Sequence, residues 1–242
     1  FMSLKILTGG GSAMPATVAE QLKQRYNLSY CEAYGLTETI SATHMNPISH
    51  PKIQCLGIPI FNTSSLIVDP ETLDEVPQGS IGELLISGPQ VMIGYWKRPE
   101  ETAAVFVNIN GRQYLKTGDL AYVDTEGYYF IVDRLKRMIN VSGYKVWPTE
   151  VELLLYKNPA VRECCVIAIP DDYRGENVKA YIVLKDEYKR NTSAVEITEY
   201  ARQIMANYKI PRIIEFVDAL PRSGTNKIDW RKLQELAWAN NK

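Results

Sequence analysis

Val132-Asp133-Arg134-Leu135-Lys136-Arg137 is the stretch at which the texture of the chain changes, and its reading decides how the fold is divided. It is too polar for the interior of a strand and too short for a linker, so it suits a hinge. A charged run of this kind is more often a plain solvated basic edge. Upstream of it, from Gly57, short β runs at residues 65–68, 82–87, 120–123 and 128–132 alternate with turn chemistry such as Pro77-Gln78-Gly79 and Asp124-Thr125-Glu126-Gly127. That pattern predicts a twisted antiparallel sheet or small barrel, with a helix over 100–105 after Pro99. Further upstream, a strand at 3–8 is broken by Gly9-Gly10-Gly11-Ser12. Pro15 then opens a helix running to about Gln24, with Ser12 or Ala13 near its start, and a strand follows at 28–33. Strand, glycine turn, helix and strand make one α/β crossover.

Downstream, residues 138–141 and 144–146 flank Ser142-Gly143, a two-residue hairpin turn, although glycine in the second place is the less favoured order for type II′. Pro148 opens a helix with Val151, Leu154 and Leu155 on one face. Strands at 161–169, 178–184 and 213–217 and helices at 194–205 and 229–239 complete an α+β unit. The expected division is therefore an α/β segment over 1–56, a β-rich segment over 57–133 and a small α+β domain over 134–242, with the hinge near Lys136.

The 242 residues carry a formal net charge of −1 and are 45% hydrophobic, ordinary for a globular protein. Near-zero charge argues against broad electrostatic capture of nucleic acid. No apolar run approaches the roughly 20 residues that span a bilayer, and no signal peptide is legible at the start. Cys31, Cys55, Cys164 and Cys165 show no metal-like spacing. Adjacent Cys164 and Cys165 should point to opposite faces of a strand as core fillers. Reduced thiols point to the cytosol.

Five runs carry candidate chemistry, each against a plainer reading. The glycine triplet can admit a ring or phosphate to the backbone, or simply turn the chain; Met14 stands where a dinucleotide fingerprint needs its third glycine. Tyr34-Gly35-Leu36-Thr37-Glu38 follows a strand end, where α/β folds place ligands. Its ring can stack on a base, Gly35 allows close approach, Thr37 can donate to phosphate and Glu38 can hold Mg²⁺; otherwise it is a loop exit. Thr117-Gly118-Asp119 offers a carboxylate for two ribose hydroxyls, or a turn aspartate serving backbone N–H groups. Arg134 lies beside Lys136 and Arg137. Lys227, in Pro221-Arg222-Ser223-Gly224-Thr225-Asn226-Lys227, can neutralise charge developing on a phosphate from a flexible loop, or do nothing. Neither His44 nor His50 belongs to a cluster.

The order of these runs, with Gly94-Tyr95-Trp96 and Ser142-Gly143-Tyr144 between them, resembles the adenylate-forming acyl-CoA synthetase superfamily over essentially the whole chain. The stretch from Tyr144 to Glu152 is most similar to bacterial fatty acyl-CoA ligases. The resemblance implies the end of a large AMP-binding domain followed by a mobile C-terminal α+β domain. It also implies a two-step reaction, in which a carboxylate and ATP give an acyl-adenylate and coenzyme A then gives a thioester. By that resemblance Gly10 and Gly11 approach the adenine or acyl group, Tyr34 and Gly35 the base, Thr37 a phosphate, and Glu38 Mg²⁺. Asp119 and Arg134 hold ribose, Lys227 stabilises the adenylation transition state, Lys136 is the hinge, and Ser142, Gly143 and Tyr144 flank the pantetheine arm. The family's phosphate loop lies upstream of anything matched here. The expectation is a carboxy-terminal fragment, inactive alone, whose partner is the missing N-terminal part of the same protein. Its substrate is expected to be a fatty acid. Competing readings are an aryl or short-chain acid ligase and a non-catalytic interaction module. Peripheral membrane association stays open, because fatty acids partition into bilayers.

Overall fold

The computed structural model describes residues 4–11, 14–224 and 226–239. Ser12 and Ala13, proposed for the helix start, and Thr225 lie outside the described residues. The chain divides into two compact units, Phe1–Val132 and Asp133–Lys242.

In the first unit, β1 (Leu7–Gly10) and β2 (Tyr30–Gly35) pair in parallel around α1 (Ala16–Tyr26), the crossover expected from the sequence. Pro15 immediately precedes α1, and Asn27 ends it in a left-handed conformation. The first strand lies later than predicted: Gly9 and Gly10 belong to it rather than breaking it. A Cβ on Gly10 would sit 2.4 Å from the carbonyl oxygen of Ala33, so the glycine permits a close approach of the chain to itself. Two further strands, β3 (Ala42–Met45) and β4 (Ile58–Pro59), extend this sheet in the order β1-β2-β3-β4.

The β-rich segment forms a second sheet. It contains β5 (Ser64–Val68), β6 (Gly82–Ser87), β7 (Phe106–Ile109), which follows α2 (Pro99–Val105), and β8 (Arg112–Val123). Their order is β5-β6-β8-β7, and β9 (Tyr129–Arg134) pairs β8. Alternation along β6 sends Leu84 and Ile86 to one apolar cluster with Ile67 and Ala121, and Leu85 to another with Val68 and Tyr114. Thr117-Gly118-Asp119 is not a turn, because it lies inside β8, where the pairing with β6 slips between Glu83 and Leu85.

The second unit has a five-stranded sheet, ordered β11-β10-β13-β12 with β14 parallel to β13. Its strands are β10 (Ile139–Val141), β11 (Tyr144–Val146), β12 (Val161–Asp171), β13 (Gly175–Leu184) and β14 (Ile213–Phe216). Cys164, Val166 and Ala168 face a core built with α3 (Pro148–Leu155) and α4 (Ala194–Ile204). Cys165, Ile167 and Ile169 face Leu233 and Ala237 of α5 (Trp230–Ala239). All four cysteines are buried and free. Ser193 and Glu196 close a reciprocal capping box on α4. Among the described residues no helix is long and apolar enough to cross a membrane.

Candidate active site

Three of the runs singled out in the sequence converge in the first unit. β2 ends in Tyr34 and Gly35, and Thr37–Thr39 form one turn of 3-10 helix. Buried Thr39 fastens that turn. Its hydroxyl oxygen accepts the Leu36 N–H at 2.9 Å and approaches the Leu36 and Ser41 carbonyls at 3.0 and 2.9 Å. A Cβ on Gly35 would meet the Ser41 carbonyl oxygen at 2.4 Å, so this glycine too makes room for its own chain.

The Tyr34 hydroxyl donates to Asp119 Oδ2 at 2.5 Å, joining residues 85 positions apart. Asp119 is buried, and its backbone N–H donates to Thr117 Oγ1 at 3.0 Å, while that hydroxyl donates to the Leu84 carbonyl at 2.7 Å. Glu83, also buried, accepts the Gly118 N–H at 3.0 Å. Burial pushes the Glu83 carboxyl upward, and the Gly118 N–H and Lys116 oppose that. Behind Tyr34 lies His44, fully buried, with ring centroids 5.8 Å from Tyr34 and 4.8 Å from Tyr129. Its Nδ1 lies 3.0 Å from Thr43 Oγ1 and its Nε2 3.0 Å from Ser65 Oγ. Desolvation holds it neutral, with a pKa of about 4. Nothing in the local sequence distinguished His44; only its cross-strand position opposite Tyr34 does.

Glu38 is half-buried and meets the third run. Tyr95 donates its hydroxyl to Glu38 Oε1 at 2.8 Å, and the Met92 N–H donates to the Glu38 carbonyl at 2.7 Å. Thr37, beside it, is exposed. Among the described residues no three His, Cys, Asp or Glu side chains form a metal cage. A single carboxylate with an open flank is nonetheless what Mg²⁺ uses when phosphates and waters supply its other ligands, so Glu38 fits that ion. Gly10 and Gly11 lie at the exposed end of β1.

The candidates of the second unit sit on turns and strand ends. Arg134 and Lys136 are exposed, and Lys136 lies in a 3-10 turn over Leu135–Arg137. The run is not a uniformly solvated edge. Arg137 reaches inward, with Nη2 2.5 Å from Glu152 Oε1 and 3.2 Å from the Val166 carbonyl. Asp133, buried, accepts the Arg134 and Thr149 N–H groups, each at 2.6 Å. Burial works against the Arg137 charge, but Glu152 and Asp133 hold its pKa above the ordinary value.

Ser142 and Gly143 join β10 to β11 with φ of 52° and 88°. Two positive values belong to a type I′ turn, which corrects the type II′ reading and explains glycine in the second place. Tyr144 is exposed and stacked on Tyr208 at 4.7 Å. The Lys227 loop is no loose tether. Arg222 and Ile228 form an antiparallel bridge, and the Ser223 N–H donates to the Lys227 carbonyl at 2.8 Å. The Lys227 residue itself is exposed.

Sequence profiles of two parts of one family match this framework: the AMP-binding enzyme over residues 1–96, and the AMP-binding enzyme C-terminal domain over residues 150–227. The chain belongs to the adenylate-forming, AMP-binding enzymes. Among curated relatives it is 40% identical over 240 residues to a long-chain-fatty-acid–CoA ligase of Bacillus subtilis, covering 99% of this chain and 42% of the ligase. It is 39% identical over 228 residues to a feruloyl-CoA synthase of Amycolatopsis, covering 93% of this chain and 45% of the synthase. The fold superposes with a TM-score of 0.82 on o-succinylbenzoate coenzyme A synthetase from Bacillus subtilis in complex with ATP and magnesium ion. That match has 31% identity and covers 96% of this chain and 46% of the synthetase. The chain thus spans less than half the length of these AMP-binding relatives.

Proposed function

We propose that this chain forms the nucleotide-handling and domain-moving part of an AMP-forming acyl-CoA ligase, an acid–thiol ligase that uses ATP, Mg²⁺ and coenzyme A. The observation that carries this reading is the convergence of Tyr34, Asp119, Glu38 and Tyr95 through two side-chain hydrogen bonds. The two bonded pairs, Tyr34 with Asp119 and Tyr95 with Glu38, lie on either side of the Gly35–Thr37 turn and support a reading in which an aromatic ring and two carboxylates serve one nucleotide. In the first step a carboxylate oxygen attacks the α-phosphorus of ATP and the bond to pyrophosphate breaks. In the second the coenzyme A thiol attacks the acyl carbon, loses its proton and expels AMP. Mg²⁺, when bound, neutralises phosphate charge. Tyr34 with Gly35 borders the base, Gly10 and Gly11 the adenine or acyl group, and Asp119 with Arg134 the ribose. Thr37 donates to phosphate, Glu38 meets the metal, and Lys227 stabilises the charge that builds during adenylation.

Lys227 and the Ser142-Gly143-Tyr144 turn serve different steps in this reading, and their placement supports that. Val141 pairs with Gly175, at the start of β13. The Lys227 loop is tied through Arg222 to Glu163, whose partner Val183 lies near the other end of β13. The ladder from Glu163 to Asp171 spans roughly 26 Å at about 3.3 Å per residue. One unit cannot present both ends to a single reacting centre, so we place a rotation at Lys136 between the steps, with the moving domain beginning at residue 134.

The substrate we favour is a fatty acid, from the ligase likeness. The nearly equal identity to the feruloyl-CoA synthase favours an aryl acid as the second reading. A cytosolic enzyme fits the four free thiols. Completion of the site requires an upstream portion carrying the phosphate loop. The test is ATP–pyrophosphate exchange by a polypeptide with that portion, across fatty and aryl acids of graded length. Exchange with long-chain acids is expected, and exchange with none of them overturns the ligase reading. The 242-residue chain alone should form little acyl-adenylate, and steady pyrophosphate release by it would contradict that dependence.

A further inference from the structure

Tyr95 has no part in the chemistry above, yet its surroundings are built around Glu38. Among the described residues Tyr95 is the side-chain partner of that carboxylate, at 2.8 Å on Oε1. The segment bearing Tyr95 is fastened at two more points. Its own backbone N–H donates to Thr102 Oγ1 at 2.9 Å, and the Met92 N–H donates to the Glu38 carbonyl at 2.7 Å. Thr102 is in turn anchored to the Arg98 carbonyl at 2.7 Å, at the start of α2. A Cβ on Gly94 would come 2.7 Å from Thr102 Cγ2, so glycine there lets Thr102 close on the Tyr95 backbone. The chain of contacts runs from α2 through Thr102 and Tyr95 to Glu38.

We propose that Tyr95 is a positioning residue that aims the Glu38 carboxylate at the metal of a bound metal–nucleotide complex, with Thr102 as its backbone anchor. The proposal rests on the assignment of Glu38 to the metal. A phenol hydrogen bond to one carboxylate oxygen restrains the rotation of the group, while the second oxygen can meet the metal. Partners behind a metal ligand commonly contribute about 10- to 100-fold to metal affinity.

The test is uptake of Mn²⁺–ATP by the polypeptide that includes the upstream portion, read from the rise in water-proton relaxation rate over that of free Mn²⁺–ATP. Tyr95→Phe keeps the ring and should weaken uptake about tenfold. Glu38→Gln should weaken it at least as much, and the double variant no more than Glu38→Gln alone. Thr102→Val should follow Tyr95→Phe in direction, and Thr102→Ser should restore uptake. Losses that multiply in the double variant, or unchanged uptake in Tyr95→Phe beside a loss in Glu38→Gln, overturn the positioning role and leave the metal assignment standing. Unchanged uptake in Glu38→Gln, or no uptake by the unsubstituted polypeptide, removes the metal assignment and the proposal with it.

Discussion

The two units hold their charged and aromatic candidate residues in different ways. In the first, Tyr34, Asp119 and Glu38 are partly or fully buried and held by partners from distant strands and loops. In the second, Arg134 at a strand end and Lys136, Ser142, Gly143 and Lys227 on turns are exposed, while the ordering falls on groups behind them such as Asp133, Arg137 and Glu152. A site that must recognise a nucleotide benefits from side chains fixed in advance. If the second unit moves as proposed, the groups it carries need rigid turns and a solvated charge.

The largest effect that would break this contrast lies under the Lys136 turn. Glu152→Ala leaves Arg137 buried beside Asp133, whose nearest oxygen is 3.9 Å away. Removing one partner of a buried pair costs about 3–5 kcal/mol, so chemical denaturation should show the second unit weakened by about that much. A loss under 1 kcal/mol would mean that the pair orders nothing. Next comes Lys227→Ala in a ligase-competent polypeptide. Loss of a group that stabilises transition-state charge costs about 10²–10³-fold, here in pyrophosphate exchange. Thioester formation from supplied acyl-adenylate should be largely spared. Equal losses in both steps would defeat the division of labour.

The framework behind Tyr34 yields a pH prediction. His44 has an ordinary pKa near 6.5 when unfolded and about 4 when folded. Below the higher value the unfolded chain binds a proton that the folded one refuses, so stability falls as pH drops through 6.5 toward 4. The loss amounts to about 2 kcal/mol at pH 5 relative to neutral pH. Urea denaturation should show it, and His44→Gln should flatten the dependence. The same slope in both proteins would assign the effect to other groups.

What could be read in advance follows the range of the interactions. Local signals held: the α1 crossover, the helix after Pro99, the hairpin at Ser142-Gly143, and the opposite facing of Cys164 and Cys165. Each is announced by residues a few positions apart, even where, as in the crossover, the strands that pair are not. The Tyr34–Asp119 bond spans 85 positions and the Tyr95–Glu38 bond 57, and no local pattern carries either. Arg137 read as a solvated charge because its partner Glu152 lies 15 residues downstream. Gly9 and Gly10 read as a strand break because the close approach that favours glycine comes from Tyr30 and Ala33 on a neighbouring strand. The short β3 and β4 strands, four and two residues long, carry too little alternation to announce themselves.

The smallest expected effect is the sharpest probe of the contrast. Gly143 sits at φ 88° with nothing within 4 Å of where a Cβ would stand, so Gly143→Ala introduces backbone strain without a collision. Left-handed strain costs an L-residue about 1–2 kcal/mol. If the turn only closes the hairpin, that modest loss of stability is the whole effect. If it also guides the thiol arm, the substitution slows thioester formation while pyrophosphate exchange stays unchanged, the mirror image of Lys227→Ala. Loss of exchange in Gly143→Ala would show that the two ends of β13 are not reserved for separate steps, and the case for rotation at Lys136 would fail with it.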